Sequence, residues 1–105
     1  MDTQQLFKTL AVPLRLNILL LLKLRGTLCV YELTQAFELA QPQISRELAK
    51  LKMAGFIHST RNGKHMHYCL RDDLSPWVNT IIDAALSEQK PKLPIIEHTH
   101  SPFKQ

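Results

Sequence analysis

The chain has 105 residues, 45% of them hydrophobic, and 13 lysines and arginines against 9 aspartates and glutamates give a formal net charge of +4. That length holds one domain with a modest core, for which a partner subunit would be a useful supplement. Two cysteines make no disulfide framework, and the most apolar run, Ile18 to Leu22, is far too short to span a bilayer. The opening Met-Asp-Thr-Gln-Gln has neither the basic start nor the apolar core of a signal peptide. A reduced, cytoplasmic setting with no membrane partner is therefore expected.

In chain order, Thr3 to Leu10 reads as a first helix with Leu6, Phe7 and Leu10 as its apolar positions. Pro13 opens a second helix to about Leu24, closed by Arg25-Gly26; it is apolar on most sides and should be central. Thr27 to Cys29 is a very short strand. Val30 to Phe37 forms a third helix, with Val30, Leu33 and Phe37 on one face.

Glu38 to Ala40 is a turn into the most informative segment, Gln41 to Gly55. Pro42 suits a first helical position, where a missing N–H costs nothing, and Gly55 suits the position just past a helix end. Ile44, Leu48 and Leu51 form one apolar stripe, while Gln43, Arg46 and Lys50 fall on another face. Gln pairs bidentately with adenine and Arg with guanine, so this face is equipped to read base edges. The alternative is a solvated face on an ordinary surface helix.

Phe56 to Arg61 and Lys64 to Leu70 read as two strands flanking Asn62-Gly63, a strong hairpin signal that predicts a type I′ turn with positive φ at both residues. Arg61, Lys64 and His65 crowd its tip. A polar helix followed at once by a basic hairpin is the layout of a winged helix-turn-helix. Charge placement agrees. Residues 41–55 hold three cations against Glu47, and residues 56–71 hold Arg61, Lys64 and Arg71 with no acid. Their joint +5 exceeds the +4 of the whole chain, so the positive charge is concentrated where phosphates would lie.

After Arg71-Asp-Asp-Leu, Ser75-Pro76 is a cap followed by a first helical residue, and a fifth helix should run to about Glu88. Its apolar residues Trp77, Ile81, Ile82, Ala85 and Leu86 form either a dimer seam or a cap on their own subunit's core. From Lys90 onward, prolines without periodicity predict an extended or disordered tail, so the expected organisation is a domain over residues 1–89 and a tail over 90–105.

Jointly, Leu10-Ala-Val-Pro-Leu-Arg-Leu-Asn-Ile-Leu, Leu28-Cys-Val-Tyr-Glu-Leu, Gln41-Pro-Gln-Ile-Ser-Arg-Glu-Leu, Ala54-Gly-Phe-Ile and Asn62-Gly-Lys-His-Met-His-Tyr-Cys-Leu resemble the ArsR/SmtB family of bacterial winged-helix repressors over Leu6 to about Glu88. Leu74-Ser-Pro-Trp-Val is most similar to the arsenic-responsive branch. The resemblance implies a mainly α fold with a β-hairpin wing, ordered α1-α2-β1-α3-α4-β2-β3-α5. It further implies a homodimer joined through first and last helices, with Leu6, Trp77, Ile81, Ile82 and Ala85 at the seam, and operator binding that ends when an inducer arrives. By position, Gln41, Gln43, Ser45 and Arg46 would approach bases, and Lys50, Arg61 and Lys64, with His65 beside them, would approach phosphates. Ala40 departs from the pattern, which usually has a Ser cap there.

The family's sensor sites are not reproduced. The arsenic-responsive branch places three cysteines at positions that here read Cys29, Tyr31 and Thr34. The zinc- or cobalt-responsive branch needs an Asp-x-His where this chain has Asp73-Leu-Ser75, and a later His pair on the last helix, which this chain lacks. His65, His67 and Cys69 alternate along one strand face, and His98 and His100 lie in the tail; each group reads as a weak metal site or as solvated polar residues. Cys29 and Cys69, if brought to one outer face of the sheet, form a candidate thiol sensor for an oxidant, arsenite or another metal; otherwise they are unrelated thiols. No resident cofactor is expected. No catalytic constellation or phosphate-cradling glycine loop is apparent, so an enzyme is not expected, and the rival to a DNA-binding repressor is a winged-helix module that binds protein.

Overall fold

The computed structural model describes residues 1–96. Its elements are α1 (Thr3–Leu10), α2 (Pro13–Arg25), β1 (Leu28–Cys29), α3 (Val30–Phe37), α4 (Gln41–Met53), β2 (Ile57–Asn62), β3 (His65–Leu70), α5 (Pro76–Gln89) and a short 3-10 turn, Lys90–Lys92. This is the expected winged helix-turn-helix order.

Local chemistry explains most boundaries. Asp2 accepts a hydrogen bond from the Gln5 N–H at 2.7 Å and caps α1. Proline stands in the first turn of α2, α4 and α5. Gly26, at φ 93, ends α2 with its N–H on the Leu22 carbonyl, a backbone conformation that disfavours other residues. Ala40 supplies no side-chain cap to α4, as its departure from the family pattern implied.

The core is a contiguous aliphatic cluster. Ile18 to Leu22 of α2, Leu28, Leu33, the α4 stripe Ile44–Leu48–Leu51, Phe56, Val78 and Ile82 are all buried in it. Each such side chain contributes about 1.5–3 kcal/mol relative to an exposed one, so α4 is fixed by its apolar stripe and only its other faces are open to a partner.

The sheet is antiparallel in the order β1-β3-β2. Leu28 pairs with Tyr68, and Ile57 to Asn62 run against Leu70 to His65. Asn62 pairs with His65, so the two central turn residues are Gly63 and Lys64 rather than Asn62 and Gly63. Only Gly63 has positive φ, 67°, which is the primed-turn pattern with glycine first, not the expected type I′ turn. The slip of one position puts Lys64 at the very tip of the wing.

Two further expectations need correction. Residues 90–96 are not a loose tail: after the 3-10 turn, Leu93 and Ile96 are buried against the core, so the packed unit extends past Gln89. Leu6 and Ile82 are each 0% exposed within their own chain, because α1 and α5 turn those side chains inward; neither has surface left for a dimer seam. Trp77 is exposed, and Ile81 and Ala85 are half-buried. His98 and His100 lie outside the described residues.

Candidate nucleic-acid interface

The stripe Ile44–Leu48–Leu51 anchors α4 to the core and leaves Gln41, Gln43, Arg46 and Lys50 exposed, with Ser45 half-buried. Gln41 Nε2 donates to Ser45 Oγ at 2.7 Å, so these two polar side chains hold one another one turn apart on the first half of the helix. The wing projects beside this end of α4. Arg61, Lys64 and His65 are exposed around its tip. Gln41 and Ser45 line the same cleft, of about 410 Å³, as Lys64, His65 and Met66 of the wing and Cys29, Tyr31 and Thr34 of the β1–α3 segment. All eight residues expected to face DNA thus lie on α4 or the wing, and four of them share this cleft.

The wing is also tied to the helix at its root. Lys52 Nζ donates to Ser59 Oγ at 2.7 Å, and the Arg71 N–H donates to the Phe56 carbonyl at 3.0 Å. Helix and wing are therefore two parts of one braced surface. Lys52, which contributes to the local positive charge, is exposed and makes that bond at the surface.

The two thiols have different surroundings. Cys29 is 1% exposed, stands opposite His67 in the sheet register, and its backbone N–H donates to Glu32 Oε1 at 3.0 Å. Burial, the largest cause, pushes its thiol pKa up. Cys69 is half-buried, and its Sγ lies 3.0 Å from His58 Nε2 on the neighbouring strand. Both thiols are free. The register, with Cys29 opposite His67, sets Cys29 and Cys69 diagonally across the β1–β3 ladder on one face of the sheet, and the immediate neighbour of Cys69 is an imidazole. Among the described residues no group of three or more His, Cys, Asp or Glu side chains is arranged to hold a metal ion.

Next to the wing root, Arg71 grips Asp73 through two hydrogen bonds of 2.8 and 2.7 Å. Those bonds hold the Asp73 carboxyl below its ordinary range. The sequence did not signal two contacts that matter to this surface, His58 with Cys69 and Arg15 with Glu47. Cross-strand register reveals the first; the second joins residues 32 apart, with no spacing rule to announce it.

A helix with an exposed amide-and-cation face, braced to a basic hairpin and backed by a second short helix, defines a winged-helix DNA-binding protein. Residues 12–59 match the family model described as bacterial regulatory protein, arsR family. The chain is 42% identical over 92 residues to the arsenical resistance operon repressor of Escherichia coli strain K12, covering 88% of this chain and 79% of that protein. It is 38% identical over 80 residues to the arsenic resistance transcriptional regulator ArsR2 of Pseudomonas putida, covering 76% of this chain and 70% of that one. Among solved structures, the transcriptional regulator HlyU from Vibrio vulnificus superposes with a TM-score of 0.70 at 30% identity, covering 80% of this chain and 83% of that one. The chain belongs to the arsR family of bacterial regulatory proteins, and it is a DNA-binding transcriptional regulator, not an enzyme.

Proposed function

We propose that this protein is a cytoplasmic homodimeric repressor that binds an operator sequence through α4 and the wing and is released by an inducer acting on its thiols. The observation that carries the DNA-binding part is the placement of charge. Residues 41–71 hold a net +5 in a chain of net +4, and Arg46, Lys50, Arg61 and Lys64 are all exposed on that stretch. In each subunit Gln41, Gln43, Ser45 and Arg46 would meet base edges, and Lys50, Arg61, Lys64 and His65 the backbone. Dimerisation is supported by the apolar surface left exposed on the terminal helices, Phe7 of α1 and Trp77 of α5. Two copies would present two α4 helices to successive major-groove segments about one DNA turn apart.

For release, the supporting feature is the cleft that Cys29 shares with Gln41, Ser45, Lys64 and His65. A soft metalloid or oxidant that captured this thiol, or Cys69 on the outer strand face, would press on side chains that meet DNA. Among the described residues no single helix is long and apolar enough to cross a membrane. Fluorescence anisotropy with a duplex from the protein's own promoter, at two salt concentrations, tests the central claim. Binding that weakens as salt rises is expected; no binding, or binding indifferent to salt, would overturn it in favour of a protein-binding winged helix.

A further inference from the structure

Arg15 is the only charged residue buried among the described residues, at 9% exposure. It sits in the first turn of α2 and carries two bonds. Its Nε donates to Glu47 Oε1 of α4 at 2.9 Å, and one terminal nitrogen donates to the Thr9 carbonyl in the last turn of α1, also at 2.9 Å. The two charged side chains are 11% and 12% exposed. A buried ion pair is weak evidence of stability, because desolvation offsets most of the attraction. Its placement therefore asks for another reason.

The position of Glu47 supplies one. Between residues 39 and 71, the span that includes the helix and the wing, Glu47 is the only carboxylate. It lies one turn after Gln43 and three residues before Lys50, so it borders the polar face on one side and the core stripe on the other. Released from Arg15, that carboxylate would face the phosphates directly or capture Lys50 across one helical turn.

We propose that Arg15 guards the DNA-reading helix: by holding Glu47 in a buried pair, it withdraws the single negative charge of the helix–wing surface and leaves Lys50 free for DNA. Arg15 is a positioning residue that acts through Glu47 and touches no nucleic acid. The proposal rests on the DNA-binding reading above.

The test compares wild type, Arg15→Gln, Glu47→Gln and the double variant, by anisotropy with a promoter duplex across a salt series. Thermal unfolding confirms that each is folded at the assay temperature. One phosphate contact corresponds to about 0.9 in the slope of log affinity against log salt. Arg15→Gln should flatten the slope by about that amount and weaken binding several-fold at low salt. The double variant should recover the wild-type slope, because the stray carboxylate is gone. A bond needed only for stability would leave the slope of a folded Arg15→Gln protein unchanged; the slope decides, since removing Glu47 relieves an unpaired buried carboxylate whatever its role. An unchanged slope in a folded Arg15→Gln protein, or a double variant that binds no better than the single, overturns the proposal. If Arg15→Gln unfolds, the double variant decides alone: with both charges removed, it binds like wild type if Arg15 only guards, and poorly if the ion pair itself is required. Failure of wild type to bind DNA would instead bring down the DNA-binding reading, and this inference with it.

Discussion

Arg46→Ala isolates base reading from everything else the helix does. Arg46 is exposed on α4, away from Ile44, Leu48 and Leu51, and makes no salt bridge among the described residues. Truncating it opens no cavity and strands no buried partner, so stability should change by no more than about 0.5 kcal/mol, as for other surface substitutions. A bidentate pair with guanine is worth roughly 1–3 kcal/mol of discrimination. At 25 °C that range corresponds to about a 5- to 150-fold loss of affinity for the operator. Non-specific affinity should fall far less if Lys50, Arg61 and Lys64 meet phosphates as proposed. The assay is a pair of anisotropy titrations, one with the operator duplex and one with a random duplex of equal length and end-label. A large loss on the operator with a small loss on the random duplex is expected. Equal losses on both would show that Arg46 meets only the backbone, and the assignment of bases to this side chain would be withdrawn.

Lys64, at the wing tip, should behave oppositely: Lys64→Ala weakens binding to all duplexes alike and lowers the salt slope by about 0.9, and a sequence-selective loss would contradict its role. Trp77→Lys places a charge on the exposed start of α5 and should shift sedimentation from dimer to monomer; a wild-type monomer, or a variant that remains dimeric, would remove Trp77 from the seam. In native protein at pH 8, iodoacetamide should modify half-buried Cys69 well before buried Cys29, with the difference erased in denaturant; equal native rates, read by mass spectrometry, would contradict the burial of Cys29. Burial raises the Cys29 pKa, so the fold favours the neutral thiol. Its contribution is present in full below the ordinary thiol value and is lost as pH rises through the folded one. The melting temperature should therefore drop on alkalinisation in wild type and drop less in Cys29→Ala.

Most of the fold was legible because local signals and the apolar pattern agreed. Proline in the first turns of α2, α4 and α5, Gly26 after α2, and the spacing of Ile44, Leu48 and Leu51 each point to one structure. Where reasoning from the chain alone fell short, the deciding contact was non-local. The wing turn slipped by one residue because the β2–β3 register is set over six residue pairs, not by the Asn-Gly dipeptide alone. Leu93 and Ile96 carry no periodicity, yet the core offers them an apolar surface that a sequence window does not display. Leu6 and Ile82 read from the sequence as seam residues because an apolar helix face looks the same whether its own core or a partner covers it.

The same distinction bears on regulation. On the proposed reading, the chemistry that reads DNA is written in contiguous residues, Gln41 to Lys50 and then Arg61 to His65, since one helix and one hairpin suffice to present it. Chemistry that would release DNA depends on what the fold brings near those elements. Cys29 is remote in sequence from Lys64 and His65, yet it shares a cleft with them and with Gln41 and Ser45. Arg15 is remote from Glu47, yet it holds that carboxylate in an ion pair at 2.9 Å. Both approach α4 from elements that precede it in the chain: the β1–α3 segment supplies the thiol, and the α1–α2 corner supplies the guanidinium. Anything that shifts α1 or the start of α3 therefore has a short, physically continuous route to the recognition helix. On the proposed reading, an inducer captured at Cys29 would act on DNA binding through these neighbours rather than by touching DNA.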